Sequence, residues 1–290
     1  VIAAEDSPPF ERFGPAEPAS PVVISVPHAG RNYPASLIAS AAVPRSRLEV
    51  LEDRFADALT AGAVSEGVTA FVARRARAWI DLNRDERELD PGMIEGSALP
   101  AHAIGSARVR GGLGLIPRRL AGGGEILRRR LSAAEIDARI RSDHRPWHAA
   151  IASALAAAHA RFGIAVLLDC HSMPPIMRES APDPARIVIG DRFGRSSASR
   201  FVDRLVSDTQ AAGLPCSRNS PYAGGHTLDR HGRPEKNIHA IQIEIDRSLY
   251  LAPDLRTAGA GMAGMTAFLA SLAGALADEA LALPPALAAE

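Results

Sequence analysis

The sequence predicts an α/β fold in three layers, a mixed, mostly parallel central sheet with helices on both faces. Short aliphatic runs at residues 22–26 and 164–168 and an alternating run at 241–245 have the length and β-branched content of strands. Longer segments of helical periodicity separate them, as crossover connections between parallel strands require. No internal repeat and no linker-like stretch divides the chain, so residues 1–290 are expected to form a single domain.

Taken in order, Pro21-Val-Val-Ile-Ser-Val-Pro27 reads as a strand bounded by prolines, and it stops at the turn-forming His28-Ala-Gly-Arg-Asn-Tyr-Pro34. From Arg47 to Leu59, the residues Leu48, Leu51, Phe55 and Leu59 follow helical spacing. A strand is expected near Thr69 to Val72 and a second extended segment at Ala78-Trp-Ile-Asp-Leu82. Residues 85–124 hold Pro91, Gly92, Gly96, Pro100 and several later glycines, which predicts an irregular excursion of the kind used as a functional lid. Helix returns at Ser132-Ala-Ala-Glu135, which has capping-box spacing, and resumes after Pro146 as Trp147 to Arg161. Ile164-Ala-Val-Leu-Leu168 is the clearest central strand. A further strand at Arg186 to Gly190, a helix from Ser199 to Ala211, the alternating run Ala240-Ile-Gln-Ile-Glu-Ile245 and an Ala-rich helix from Leu255 to Leu283 complete the reading.

Composition narrows the function. Lys+Arg and Asp+Glu both number 33, so a formal net charge of 0 gives no general attraction to nucleic acid or anionic membranes. The arginines between 108 and 130 could form a local basic patch, but only 4% of the chain is aromatic, too little for a base-stacking surface. Two cysteines, Cys170 and Cys216, do not make a disulfide framework. No apolar stretch reaches membrane-spanning length and the first residues lack the pattern of a signal peptide, so a cytoplasmic enzyme is expected.

Three of the expected strands lead into reactive side chains. One ends at His28, one in Asp169-Cys-His-Ser172, and one carries Glu244 before Asp246-Arg247. Ligands collect at the carboxyl ends of strands in open α/β sheets. Two histidines and a carboxylate converging there could hold a divalent ion, most readily Zn²⁺ with one open position. Taken singly, each is more simply a hydrogen-bonded strand-end residue. Cys170 and His171 cannot form a nucleophile pair if the strand continues, because adjacent side chains point to opposite faces.

Six stretches together make the chain resemble the N-formylglutamate amidohydrolase family. They are Val26-Pro-His-Ala-Gly-Arg-Asn-Tyr-Pro34, Glu52-Asp-Arg-Phe55, Ala78-Trp-Ile-Asp-Leu-Asn-Arg84, Leu168-Asp-Cys-His-Ser-Met173, Asn219 through Gly225, and His239 through Tyr250. The resemblance implies an amidohydrolase with a fold similar to the zinc carboxypeptidases and aspartoacylases. It implies hydrolysis of an N-formyl or N-acyl amino acid such as N-formylglutamate, as in amino acid catabolism. It further implies His28, Asp53 and His171 as ligands of Zn²⁺ or another divalent metal, with Glu52 the second choice for the acidic ligand. Arg31 stands where zinc carboxypeptidases carry a ligand glutamate, and guanidinium cannot bind a metal.

Glu244 resembles the catalytic glutamate that those enzymes carry on a late strand, and a carboxylate there can accept and return a proton. Arg84 is the candidate for a clamp on the substrate carboxylate or on the developing oxyanion, with Asp81 and Asn83 beside it. Asn83, Arg118, Asn219, His239 and Gln242 are assigned to the substrate side. The segment from Gly225 to Arg233 departs from the family's Thr-Thr-Arg-His-like stretch and is expected to set substrate choice. A carboxypeptidase-like peptidase, a wider N-acyl amino acid deacylase and a non-catalytic ligand-binding module are the alternatives.

Overall fold

The computed structural model describes residues 8–96, 103–120, 123–177 and 184–282. Its strands are β1 (Phe10–Phe13), β2 (Val22–Val26), β3 (Thr69–Ala73), β4 (Ala165–Met173), β5 (Ile187–Gly190), β6 (Cys216–Arg218) and β7 (Ile238–Asp246). They form one sheet in the order β1-β3-β2-β4-β7-β5-β6. The inner strands β3, β2, β4 and β7 are mutually parallel, whereas β1 and β5 join antiparallel and β6 runs parallel to β5. The sheet is therefore mixed, with a parallel centre that delivers four carboxyl ends to one side.

Both faces are covered, which is why the inner strands are mostly apolar and almost wholly buried. On one face Ile24, Leu168, Cys170, Ile241, Ile243 and Ile245 pack against the helices Ser199–Ala211 and Met262–Leu281. On the other, Val23, Phe71, Leu167 and Ala240 pack under Trp147, Ile151 and Leu155 of the helix Arg145–Phe162. Ile243 is fully buried, so Ile243→Ala should cost about 2–5 kcal/mol of stability, measurable by urea unfolding.

The second face changes character along the strands. Val23, Leu167 and Ala240 lie side by side, and one step further Ser25, Asp169 and Gln242 take their places, followed by His171 opposite Glu244. Side chains two residues apart share a face, so each strand carries its apolar stripe into a polar patch. β4 runs three residues beyond the end of β2, and His171 sits in that overhang.

Several expectations require correction. The helix expected from Arg47 to Leu59 is broken: helix Arg45–Leu48, a 3-10 turn Glu49–Leu51, extended backbone at Glu52, Phe55 in the left-handed region (φ 59°), then helix Ala56–Leu59. Residues 78–82 are buried turns instead of a strand, and the alternation there reflects Ala78, Ile80 and Leu82 inserting into the second core. Helix does not restart after Pro146. It runs on from Ala133–Arg139 through a π turn at Ile140–His144, whose wider hydrogen-bond spacing accommodates a residue with no N–H. The last helix begins at Met262, and Leu283 lies outside the described residues. The edge strands β1 and β6 were not expected.

Candidate metal centre and active site

His28, Asp53 and His171 meet at the carboxyl ends of β2 and β4, all buried, with one potential ligand atom from each within 4.8 Å of the others. The two imidazole centroids are 4.8 Å apart. Local structure explains the placement of each. His28 lies two residues past the end of β2, and the turn after it runs so close to Arg75 that a Cβ on Gly30 would sit 2.0 Å from the Arg75 carbonyl oxygen. His171 lies within β4, and its neighbour Cys170 faces the opposite core, which separates the thiol from the imidazole. Asp53 comes from the break in the expected helix, where its N–H donates to the His28 carbonyl (2.9 Å). The same break sends Glu52 elsewhere, to the Tyr33 hydroxyl and to Arg54 (2.8 Å).

Both histidines direct Nδ1 at Asp53 and have Nε2 held from behind. His28 Nε2 lies 2.7 Å from Asp81 Oδ1 and His171 Nε2 lies 2.9 Å from Asp169 Oδ2. The Nδ1 atoms lie 3.4 Å (His28) and 3.0 Å (His171) from Asp53 Oδ2, and His28 Nδ1 is buried with no hydrogen-bond partner among the described residues. Imidazoles with a carboxylate fixing the far nitrogen, a buried nitrogen otherwise orphaned and a carboxylate between them are the donor set that suits a divalent ion. The residues fit.

The surrounding charges support that arrangement. Burial opposes ionisation of Asp53, but the adjacent imidazoles of His171 and His28 outweigh it and hold the carboxyl well below its usual range. Burial likewise opposes charge on Asp81, which Arg77, Arg84 and His28 together hold well below that range. Arg77 donates to Asp81 Oδ2 (2.9 Å), and Arg247 bonds Ser172 Oγ (3.0 Å) and Asp53 Oδ1 (3.1 Å).

The cluster opens into a cavity of about 310 Å³, the volume class of a small-molecule site. Asn83, Arg84, Gln242 and Glu244 line it with the three clustered residues. Glu244 accepts a hydrogen bond from Gln242 Nε2 (3.0 Å), and burial raises its pKa to about 7. Asn83 Nδ2 lies 3.2 Å from His171 Nε2, while its Oδ1 accepts the Thr227 N–H (2.9 Å). Gly225 is required there, since a Cβ would fall 2.5 Å from Asn83 Oδ1. Arg84 is only 2% exposed, and its guanidinium bonds the carbonyls of Leu113 (2.9 Å) and Asn83 (2.6 Å).

Three of the residues assigned to the substrate side do not reach this cavity. Arg118 pairs with Asp90 (2.7 Å) and Glu125 (2.8 Å), and its neighbour Arg119 lines the wall instead. Asn219 is a left-handed residue (φ 59°) whose amide bonds Asp191 (2.6 Å). His239 sits near the amino end of β7, at the opposite side of the sheet, packed on Phe201. The segment 225–233 forms the helix His226–His231 and supports Asn83 from behind without lining the cavity.

Other lining residues were not foreseen, among them Arg77, Arg108, Arg247 and Tyr222. Arg77 stands four residues before Asp81, and Asp169 two residues before His171 on the same strand face; those spacings were the available signals. The irregular excursion supplies Arg108, Gly111, Leu113, Arg119 and Leu120 to the wall. Arg108, on the short helix Ala107–Arg110, is exposed, and its guanidinium has no ion-pair or hydrogen-bond partner among the described residues.

Among the described residues, no helix is long and apolar enough to cross a membrane. A family model described as N-formylglutamate amidohydrolase matches residues 20–251. An N-formylglutamate deformylase of Pseudomonas aeruginosa is 28% identical over 238 residues, covering 80% of this chain and 82% of that one. Its counterpart from Pseudomonas putida is 29% identical over the same length. The crystal structure of N-formylglutamate amidohydrolase from Ralstonia eutropha JMP134 superposes with a TM-score of 0.87 at 34% identity, over 94% of this chain and 98% of that one. A structure from Agrobacterium tumefaciens, 20% identical with a TM-score of 0.66, covers 93% of this chain and 95% of its own and shares the fold.

Proposed function

Because the chain belongs to the N-formylglutamate amidohydrolase family, we propose that it hydrolyses the amide bond of N-formylglutamate or a similar N-acyl amino acid, at a metal centre formed by His28, Asp53 and His171. The products are formate or another short acid and the free amino acid. The observation that carries this reading is the buried triad with its orphaned His28 Nδ1, sharing one cavity with Glu244. Kinship with the zinc carboxypeptidases is part of the proposal, supported by a histidine, acid, histidine donor set and a glutamate on a late strand.

A divalent ion such as Zn²⁺ bound by the triad would supply Lewis acidity toward the scissile carbonyl and make a water molecule more acidic. Glu244 takes the proton of the attacking water and passes it to the departing amide nitrogen. Asp81 and Asp169 keep the two imidazoles in the tautomer that presents Nδ1 inward. Arg84 is tied to two carbonyls, so its position is fixed before substrate arrives, which suits a group meant to meet developing negative charge on the carbonyl oxygen.

Arg108 is assigned to the substrate's carboxylate. It is the cavity-lining guanidinium that carries no partner among the described residues, and guanidinium matches carboxylate with two parallel hydrogen bonds. Arg108→Ala should raise KM for N-formylglutamate about tenfold or more with kcat little changed, as expected when ground-state binding is removed. An amidated substrate lacking that carboxylate should lose the sensitivity. Unchanged KM for the free acid would move recognition to Arg119 or Arg77.

The direct test is formate release from N-formylglutamate by chelator-treated protein before and after Zn²⁺ is restored. Activity that survives complete removal of metal would overturn the centre. Activity restricted to longer acyl groups would keep the centre and change the substrate.

A further inference from the structure

The described residues contain a second histidine cluster that the reaction does not use. His144 ends the π turn, His148 lies one turn later in the helix Arg145–Phe162, and His226 begins the helix His226–His231. One ring nitrogen from each of the three comes within 4.8 Å of the other two. The centroid distances are 4.5 Å between His144 and His148 and 5.2 Å between His148 and His226. None of them lines the catalytic cavity.

Their hydrogen bonds fix the tautomers of His144 and His148. His144 Nε2 bonds the Arg84 carbonyl (2.8 Å) and His148 Nε2 bonds the Leu82 carbonyl (3.0 Å). A carbonyl only accepts, so both Nε2 atoms carry the hydrogen and both Nδ1 atoms keep a lone pair. His148 Nδ1 accepts a hydrogen bond from His231 Nε2 (3.0 Å), a fourth imidazole at the edge of the group, and an ion bound to His148 would displace that bond. His226 Nε2 is buried and has no hydrogen-bond partner among the described residues, while its Nδ1 lies 3.8 Å from Asp85 Oδ2. Burial keeps His148 well below its usual range and His226 at about 4, so these rings are neutral bases at pH 7.

We propose that His144, His148 and His226 form a second, structural site for a first-row transition-metal dication such as Zn²⁺ or Ni²⁺. His144 and His148 have the far nitrogen fixed by a backbone carbonyl, the arrangement that orients histidine ligands elsewhere, and an all-nitrogen set selects these ions over Mg²⁺ or Ca²⁺. The π turn has the wider spacing often found at functional sites, and it is the element that carries His144.

The location gives the site a consequence. The segment from Leu82 to Asp85 lies between the two clusters. Its carbonyls at 82 and 84 face His148 and His144, while Asn83 reaches His171 and Arg84 lines the cavity. An ion joining the helices behind this segment would fix the residues that support the catalytic centre, without taking part in the reaction.

The experiment is metal stoichiometry by mass spectrometry after chelated protein is re-equilibrated with Zn²⁺ alone and dialysed, together with thermal melting and anomalous scattering at the zinc edge. Wild-type protein should retain two ions per chain. His226→Ala and His28→Ala should each retain one, and their combination none. Zn²⁺ should raise the melting temperature of His28→Ala but not that of the combined variant. A wild-type chain that holds one ion, lost in His28→Ala and kept in His226→Ala, overturns the second site. One ion lost in His226→Ala and kept in His28→Ala leaves the second site standing and removes the catalytic assignment. Anomalous scattering from wild-type crystals decides the matter even if a variant fails to fold: zinc-saturated protein without a peak among His144, His148 and His226 overturns the inference.

Discussion

His171→Ala is expected to abolish ion binding at the catalytic centre and, with it, nearly all turnover, a loss of at least about 10³-fold in kcat/KM if the ion supplies several kcal/mol to the transition state. The substitution removes one of only two imidazoles and leaves Asp53 and Asp169 facing each other without the ring that separated them. Two buried carboxylates that lose the ring bridging them repel, so stability should fall as well. Asp81→Asn offers a graded comparison. It keeps every ligand but weakens the partner of His28 Nε2, a change that costs roughly 10–100-fold in metal affinity at comparable sites. Turnover of Asp81→Asn should therefore recover as Zn²⁺ is raised, whereas His171→Ala should not recover at any concentration. Recovery of both would place the reacting ion elsewhere.

The difference between what the sequence disclosed and what it hid follows from how each residue is placed. His28, His171 and Glu244 were legible because strands impose a two-residue period and end where their apolar pattern ends. Position along a strand then predicts both face and depth. Asp53 was not legible in that way. Its segment has helical spacing, and only the family resemblance singled it out, because the break at Glu52 to Phe55 depends on Glu52 meeting Tyr33 and Arg54 and on Asp53 meeting His28. Tertiary partners overrode local propensity.

The same reasoning explains the arginines. Arg118 and Arg119 are adjacent, and no period governs a loop, so the sequence could not say which faces inward. The structure turns Arg118 to Asp90 and Glu125. Asn219 and His239 lie in stretches that match the family, yet their work is in a left-handed turn and against Phe201. Matching a motif does not place a side chain in the cavity. Short edge strands such as β1, Phe-Glu-Arg-Phe, bury too little to produce a recognisable pattern.

Glu244→Gln should leave the fold and the ion in place while kcat falls about 10²–10⁴-fold, the usual contribution of a positioned proton acceptor. The substitution is conservative in size, and the new carboxamide can still accept the hydrogen bond from Gln242 through its oxygen. What it cannot do is take a proton from water at neutral pH. KM should change little, because the substrate's carboxylate is assigned to Arg108 on another element. The pH profile adds a readout that a merely structural role would not move. Burial raises Glu244 to about 7, and a neighbouring dication would draw it back down. The acid must lose its proton to work as a base, so kcat/KM should fall as pH drops through a pKa lying below about 7, and Glu244→Gln should lose that limb. Glu244→Asp shortens the side chain by one methylene, roughly 1.5 Å, while keeping the charge, and should fall between the two because reach is lost and basicity is not. A Glu244→Gln protein with its ion bound, kcat within about threefold of the parent and an unchanged acid limb would assign the proton transfer to another group in the cavity.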